Sequence, residues 1–319
     1  MACKAEVPIF EAHSEQAFKD HVSFRREPAI LRGANVGECV KVWSPEYLAR
    51  KVGNLPVKIH VSPTPKMDFI RKNFMYKTLP FDELVTRASR KEQDCYFIHP
   101  QELYYLRSLG IEPRGTDIAH FSKHYPTISD DFKLPNVFDE SKYFSSVLRV
   151  SSSGLSLWTH YDVMDNVLVQ VRGKKTAILF NPNDSLNLYL VGDKSQIIDV
   201  DDVDNPQFPR FKKAIRYECQ LLPGDILFIP ALWLHNVRPL DFSVAVNVFW
   251  KNLGPDFYDK KDIYGNKDVI PAARALQTLQ NATKLLSSLP AEYKDFYYRR
   301  MISELENKLD SVVKSESES

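Results

Sequence analysis

The sequence predicts a mainly β fold, an antiparallel sandwich or barrel with flanking helices and a helical region at its C-terminal end. Between residues 144 and 250, short apolar segments alternate with turn residues such as Pro223-Gly224-Asp225, a pattern typical of sandwiches and barrels. After residue 250 the apolar residues recur at helical spacing instead. The sequence contains no GxGxxG or P-loop motif, which counts against the nucleotide-binding α/β folds.

The composition is that of an ordinary globular protein. Of the 319 residues, 44% are hydrophobic and 26% are charged, and the formal net charge is +1, so no overall field draws the chain to nucleic acid or membranes. The four cysteines are scattered without a CxxC pair, which indicates reduced thiols in an intracellular protein. No apolar run approaches the ~18–20 residues of a membrane-spanning helix. We therefore expect an intracellular, cytoplasmic protein, with the nucleus as the alternative.

Residues 1–140 are predicted to contain both helices and strands. Three short helices are predicted, and a serine that could cap the first turn opens two of them; they cover residues 14–21, 44–52 and 80–91. Alternating apolar residues predict strands at residues 54–61 and 95–99. The polar, proline-containing stretch at residues 110–135 is expected to be irregular surface.

The core region and the C-terminal region differ in their apolar spacing. Six strands are predicted in the core, at residues 145–151, 166–171, 176–180, 217–222, 226–229 and 243–250. Beyond them, Pro271 could occupy the first turn of a helix, and Pro290 separates that helix from a second one. Both helices carry an apolar stripe that must pack against the barrel, the other helix or a second copy of the chain. From Lys314 onward the tail is expected to be disordered.

A candidate metal site combines two distant parts of the sequence. His160 and Asp162 are two residues apart, and positions i and i+2 of a strand point to the same side. His235 follows the predicted turn and strand at residues 223–229. A histidine at the end of a strand in the same barrel can lie close to His160 and Asp162. Two imidazoles and one carboxylate leave positions open around a metal ion, which suits non-haem Fe(II) oxygenases. Zinc would fit a similar triad.

Four polar residues in otherwise apolar strands are candidates for further interior roles. Asn166 lies four residues after Asp162, so the strand period can turn it inward with the triad. A buried Asn247 amide without a partner would cost ~1–3 kcal/mol, so it needs either a ligand or an internal hydrogen bond. Lys175 begins an apolar strand, and Arg149 lies among apolar residues. For Arg149, a position facing the substrate and a structural ion pair both remain open.

The full pattern resembles the JmjC-domain hydroxylases. The resemblance rests on Gly224-Asp225-x-x-Phe228-Ile229-Pro230-x-x-Trp233-x-His235 together with His160-Tyr161-Asp162. It implies a double-stranded β-helix, the jelly-roll or cupin fold, with Fe(II) held by His160, Asp162 and His235. It also implies 2-oxoglutarate as co-substrate with O₂. The residues that correspond to the family's 2-oxoglutarate ligands are Tyr105, Asn166, Lys175 and Asn247.

A wider set of segments is similar to the members of this family that act in wybutosine synthesis. These segments are residues 58–61, 67–70, 104–110, 158–166, 217–219, 229–233, 264–268 and 296–301. The resemblance implies hydroxylation of a wybutosine precursor at position 37 of phenylalanine tRNA. It further implies a homodimer formed through the C-terminal helices and basic residues there that contact tRNA. Arg299 and Arg300 are the candidates for these contacts, and Arg149 is the candidate for a contact with the substrate.

These inferences divide the chain into three parts. Residues 1–251 are predicted to form the catalytic domain, residues 252–313 a helical region for dimerisation and tRNA contact, and residues 314–319 a disordered tail. Two other functions remain open: a protein hydroxylase or demethylase with the same iron site, and a binding module on a cupin scaffold. The carbon of the base that is hydroxylated does not follow from the sequence.

Overall fold

Two β-sheets form the framework of the chain in a computed structural model that describes residues 4–110, 117–134 and 139–317. The strands of the described chain are β1 (Lys4–Glu6), β2 (Ile9–Glu11), β3 (Ala29–Arg32), β4 (Pro56–Ser62), β5 (Met75–Pro80), β6 (Leu103–Arg107), β7 (Tyr143–Ser151), β8 (Asp165–Arg172), β9 (Lys175–Phe180), β10 (Leu190–Val191), β11 (Lys194–Ser195), β12 (Arg216–Leu221), β13 (Ile226–Ile229), β14 (Leu234–Pro239) and β15 (Ser243–Trp250). The larger sheet has the order β2-β3-β13-β8-β15-β7-β6-β4-β5, and the smaller has the order β1-β12-β9-β14.

The two sheets pack face to face, and the larger one is buried on both sides. In β8, Val167 and Val169 point to a cluster shared with the N-terminal helices, whereas Leu168 points to a second cluster between the sheets. That second cluster also contains Leu179 of β9 and Leu227 of β13. Burial on both faces explains why these strands read as nearly continuous apolar runs. The predicted mainly β fold with flanking helices is confirmed.

Helices cover the outer face of the larger sheet and form the C-terminal region. The described helices are α1 (Glu15–Asp20), α2 (Cys39–Val42), α3 (Pro45–Val52), α4 (Phe81–Ala88), α5 (Phe121–His124), α6 (Pro126–Ser129), α7 (Ile270–Leu285) and α8 (Ala291–Ser317). The hydroxyl of Ser44 accepts a hydrogen bond from the N–H of Tyr47 at 3.2 Å and caps α3, as the sequence predicts. Pro271 lies in the first turn of α7, also as predicted. None of the described helices is long and apolar enough to cross a membrane.

Three predicted segments differ from the structure. Residues 110–135, predicted to be irregular surface, include α5 and α6, and Phe121 and Ile128 on these helices are buried. Residues 95–99 form no strand, because the carboxylate of Glu102 accepts the backbone N–H groups of Phe97, Ile98 and His99 and takes the place of a neighbouring strand. The tail from Lys314, predicted to be disordered, is helical as far as Ser317, where α8 ends.

The chain divides into two compact units, Met1–Lys267 and Asp268–Ser319. This division falls later than the predicted boundary after residue 251, and the functional assignment of the two regions stays a prediction. In the second unit many large apolar side chains are exposed, including Leu285 at 78%, Phe296 at 59% and Leu309 at 59%. Exposed apolar residues in such number are typical of a surface that binds a partner.

Candidate metal and co-substrate site

His160 and His235 lie opposite each other in an isolated antiparallel bridge. The N–H of His235 donates to the carbonyl of His160 at 2.8 Å, and the N–H of His160 donates back at 3.2 Å. Residues paired in this way project their side chains to the same face, and the two ring centroids are 4.4 Å apart. His235 lies near the start of β14 rather than at the end of a strand, because residues 230–233 turn the chain between β13 and β14.

Both imidazoles have the same orientation and the same protonation state. Nδ1 of His160 lies 3.0 Å from the carbonyl of Trp158, and Nδ1 of His235 lies 3.1 Å from the carbonyl of Trp233. A carbonyl only accepts, so each Nδ1 carries a proton and each Nε2 keeps a free lone pair. Burial and the neighbouring imidazole lower the pKa of His160 well below its usual range, and burial also lowers the pKa of His235. Both rings are therefore neutral, as metal ligands must be.

Asp162 completes the triad from an extended connection that precedes β8, rather than from within a regular strand. Its Oδ2 atom is 3.7 Å from Nε2 of His235, and one ligand atom from each of the three residues lies within 4.8 Å of the others. The N–H of Leu232 donates to the Asp162 carbonyl at 2.8 Å and fixes the loop. The structure therefore brings together the predicted metal residues, and this donor set of two imidazoles and a carboxylate fits Fe(II).

A small cavity behind the triad is lined by three of the four predicted co-substrate residues, Tyr105, Lys175 and Asn247. Lys175 is only 3% exposed, unlike Lys174, which is exposed. No carboxylate in the described part of the chain forms an ion pair with Lys175. Burial, with some repulsion from a nearby arginine, lowers the pKa of Lys175 to about 7. An unpaired buried ammonium group at the end of a cavity is suited to bind the carboxylate of a ligand.

Asn247 and Asn166 belong to a chain of hydrogen bonds that links the cavity to the triad. The amide of Asn247 accepts from Nε of Arg149 at 2.7 Å and donates to Asn166 at 2.9 Å. Asn166 in turn donates to Asp162 at 3.4 Å. Asn247 therefore has internal partners, which the sequence left open. Asn166 holds the metal carboxylate and is not among the residues that line the cavity.

Arg149 lies between the small cavity behind the triad, here called the rear cavity, and a larger cavity in front of it, the front cavity. Besides its bond to Asn247, its guanidinium donates to the hydroxyl of Tyr105, and it forms no ion pair with any described carboxylate. It lines both the small rear cavity and the larger front cavity. Its contact with substrate stays a prediction. Its observed hydrogen bonds are to Tyr105 and Asn247, two of the predicted co-substrate residues.

A front cavity of about 250 Å³ opens on the other side of the triad. Its walls include residues that the sequence analysis did not single out: Lys58, His60, Phe69, Tyr76, Arg107, Trp158 and Tyr264. Trp158 packs against Phe69 with ring centroids 4.6 Å apart. Along β4, Lys58 and His60 alternate with the buried residues Val57, Ile59 and Val61, so both polar side chains lie on the face opposite the apolar cluster. The sequence pattern alone does not distinguish a face that borders a cavity from one that faces solvent.

Arg299 and Arg300 lie on α8 in the second unit, and both are exposed. Arg299 forms an ion pair with Asp295 at 2.9 Å within the same helix. Such a surface pair contributes little to stability, so the side chain can exchange this partner for a phosphate. The predicted tRNA contact of these two residues stays a prediction.

Known proteins resemble this chain over nearly its whole length. The model of the cupin-like domain matches residues 14–255. The tRNA wybutosine-synthesizing protein 5 of Danio rerio is 50% identical over 305 residues, which cover 96% of this chain and 93% of that protein. The protein of the same name from Homo sapiens is 50% identical over 302 residues, covering 95% and 96% of the two chains. The tRNA wybutosine-synthesizing protein 4 of Gibberella zeae is 37% identical over 307 residues, 94% of this chain but 29% of that protein.

Proposed function

The chain belongs to the cupin-like family, in its JmjC-like branch, and we propose that it is an Fe(II)- and 2-oxoglutarate-dependent hydroxylase of tRNA. Its substrate would be the wybutosine precursor base at position 37 of phenylalanine tRNA. The observation that carries the proposal is the convergence of His160, Asp162 and His235 beside a cavity that ends in the buried Lys175. The names of the relatives support the substrate.

The side chains of the metal site are of the types that bind Fe(II). Nε2 of His160, Nε2 of His235 and a carboxylate oxygen of Asp162 would hold the ion on one side and leave its other positions open. Bound Fe(II), with 2-oxoglutarate and O₂, supplies the oxidising chemistry that places a hydroxyl group on an unactivated carbon. The protein itself keeps the imidazoles neutral through burial and keeps them oriented through the carbonyls of Trp158 and Trp233.

The rear cavity would hold the distal carboxylate of 2-oxoglutarate. The Lys175 ammonium group supplies the charge, and the Tyr105 hydroxyl supplies a second polar contact. The apolar side chains of Leu168 and Ile229 line the same cavity and exclude water from it, which strengthens the ion pair. The position of Lys175 at the start of β9 is fixed by the pairing of β9 with β12 and β14, so the anchor is rigid.

The front cavity has an aromatic lining of the kind that binds a base. An anticodon loop is single-stranded, so its bases can be turned out and stacked on aromatic side chains. Phe69, Tyr76 and Trp158 supply such rings beside the triad.

We also propose that the protein forms a homodimer through α7 and α8, whose exposed apolar side chains would be covered by a second copy. Sedimentation at micromolar concentration should give twice the mass of one chain. Exchange of Phe296 and Leu309 for serine should give a monomer. A monomeric wild-type protein at that concentration would contradict the dimer.

The competing function is a protein hydroxylase or demethylase with the same iron site. Succinate release from 2-oxoglutarate distinguishes the two when it is measured with precursor tRNA, with lysine-methylated peptides and with ankyrin-type peptides. We expect the tRNA alone to accelerate succinate release. Acceleration by a peptide, with none by tRNA, would favour the competing function.

A further inference from the structure

Arg107, at the end of β6, lines the front cavity without a carboxylate partner in the described part of the chain. One of its nitrogens donates to the carbonyl of Tyr264 at 3.0 Å, and its guanidinium lies 5.1 Å from the centre of the Tyr264 ring. Burial and repulsion from Arg149 lower the pKa of Arg107 only to about 10, so it stays charged at neutral pH. Arg107 is half-buried, and a guanidinium has five N–H donors, so most of its donors remain available to a ligand in the cavity.

The other charges of the front cavity do not neutralise Arg107. Asp193 forms an ion pair with Lys194, and Asp162 belongs to the metal triad. Lys58 also lacks an ion pair within the described residues, and its Nζ atom lies 4.6 Å from the centre of the Tyr76 ring. Three cations without an ion pair among the described residues therefore border one cavity: Lys58, Arg107 and Arg149. Lys58 and Arg107 lie on the neighbouring strands β4 and β6.

His60 adds an unsatisfied neutral group to the same wall. Its Nδ1 atom is buried and has no hydrogen-bond partner, and its ring centroid is 4.8 Å from that of Tyr76. Burial lowers the pKa of His60 to about 4, so the ring is neutral at pH 7.

We infer that the front cavity binds a substrate carrying an anionic group, which Arg107 anchors with help from Lys58 while the base lies against the aromatic wall. This inference rests on the proposed function and adds a specificity-determining residue to it. The anionic oxygens could belong to a carboxylate on the modified base or to a phosphate of the tRNA backbone. A planar guanidinium binds either group through paired hydrogen bonds.

Steady-state kinetics with precursor tRNA test the inference. The variant Arg107→Gln should lower kcat/KM about 10- to 100-fold, mainly by raising KM for tRNA, because it removes a charge-assisted hydrogen bond. The matched control is Arg90→Gln, an exposed arginine outside the cavity. Arg107→Lys, which keeps the charge, should recover part of the loss. The KM for 2-oxoglutarate and the melting temperature show whether the site itself has collapsed.

If Arg107→Gln is within twofold of wild type while wild type is active, the anchor is refuted and the proposed function stands. If wild type itself adds no oxygen to the tRNA, the proposed function fails instead. If Arg107→Gln does not fold, Lys58→Met replaces it; a raised KM for tRNA supports the inference and an unchanged KM refutes it. A nucleoside prepared from the tRNA separates the sources: an effect that persists on the nucleoside indicates a base carboxylate, and one seen only with tRNA indicates a phosphate.

Discussion

At the residue scale, the protonation of a few buried groups determines what the site can bind. Both imidazoles of the triad are neutral because they are enclosed and because each Nδ1 donates to a backbone carbonyl. The carboxylate of Asp162 then supplies the only charge among the three ligands. A divalent cation would neutralise it and satisfy both free Nε2 atoms together.

Removal of that carboxylate should abolish activity. We expect Asp162→Ala to lower 2-oxoglutarate turnover at least about 1000-fold, since only two neutral ligands would remain for the metal. Iron content of the purified protein, measured by emission spectrometry, should fall in parallel. The exposed Asp204→Ala variant serves as control and should keep both. Full activity in Asp162→Ala would refute the triad.

Co-substrate binding should depend on pH through the protonation of Lys175. Burial lowers its pKa to about 7, and a bound carboxylate raises that pKa, so binding above pH 7 must take up a proton. The affinity should be constant below pH 7 and fall by about tenfold per pH unit above it. Calorimetry with nickel in place of iron, in buffers of different ionisation enthalpy, should show uptake of close to one proton at pH 8.5. In Lys175→Met the uptake should disappear; uptake that persists would exclude Lys175 as its source.

The sequence predicted that His160, Asp162 and His235 come together, which they do, but it identified the surrounding polar residues only in part. His160 and Asp162 could be paired because they lie two residues apart, and His235 could be added because it follows a clear turn and strand. The role of Asn166 in holding Asp162 depends on a contact that periodicity alone does not specify. Arg107 and His60 were missed because a charged or polar residue within a strand usually faces solvent, and only the pairing of β4 with β6 turns both towards the front cavity.

At the element scale, short turns and strand pairing position the site. The turn between β12 and β13 contains Gly224 with φ at +92°, a conformation that glycine adopts without strain. The next residue, Asp225, accepts from the N–H of Leu222 at 2.9 Å and forms paired hydrogen bonds with Arg32. This turn fixes the start of β13, and β13 leads directly into the loop before His235.

Loss of the Asp225 carboxylate should therefore destabilise the fold. Asp225 is only 2% exposed, and its removal leaves Arg32 and the turn N–H without a partner. We expect Asp225→Ala to lower the free energy of unfolding by about 3 kcal/mol, measured by urea denaturation. The Asp204→Ala variant should differ from wild type by less than about 0.5 kcal/mol. An Asp225→Ala protein as stable as wild type would show that the turn forms without this ion pair.

Strands that are apolar along their whole length were predicted correctly. The prediction failed where a side chain, rather than a neighbouring strand, accepts the backbone hydrogen bonds. The six core strands were found because apolar runs end at clear turns. The strand β14 was missed because the polar residues His235, Asn236 and Arg238 interrupt its apolar pattern. Residues 95–99 resemble a strand in composition, but the carboxylate of Glu102 satisfies their backbone donors, a contact that composition does not encode.

At the scale of the whole molecule, the chain has almost no net charge, so tRNA binding must depend on local groups. The region from residue 251 to the end contains 11 acidic and 11 basic residues. A patch at Arg299 and Arg300 would act through release of counterions from phosphates. The two arginines are exposed on α8 and can approach a phosphate without moving buried groups.

Reversal of these two charges should weaken tRNA binding and change its salt dependence. We expect the double variant Arg299→Glu and Arg300→Glu to lower affinity at least about tenfold and to reduce the slope of log K against log salt by about 1–2. Fluorescence anisotropy with labelled tRNA at several salt concentrations gives both quantities. Reversal of the exposed pair Arg90 and Lys91 is the control for net charge. An unchanged slope would remove Arg299 and Arg300 from the interface.

The most direct measurement for the central claim is mass spectrometry of tRNA after reaction under ¹⁸O₂. Phenylalanine tRNA carrying the unhydroxylated precursor would be incubated with the protein, Fe(II), ascorbate and 2-oxoglutarate, and then digested to nucleosides. We predict one ¹⁸O atom in the modified base, absent when His160→Ala replaces the wild type. An unlabelled base together with continued release of succinate would contradict the tRNA substrate, and the absence of both with iron bound would contradict the hydroxylase itself.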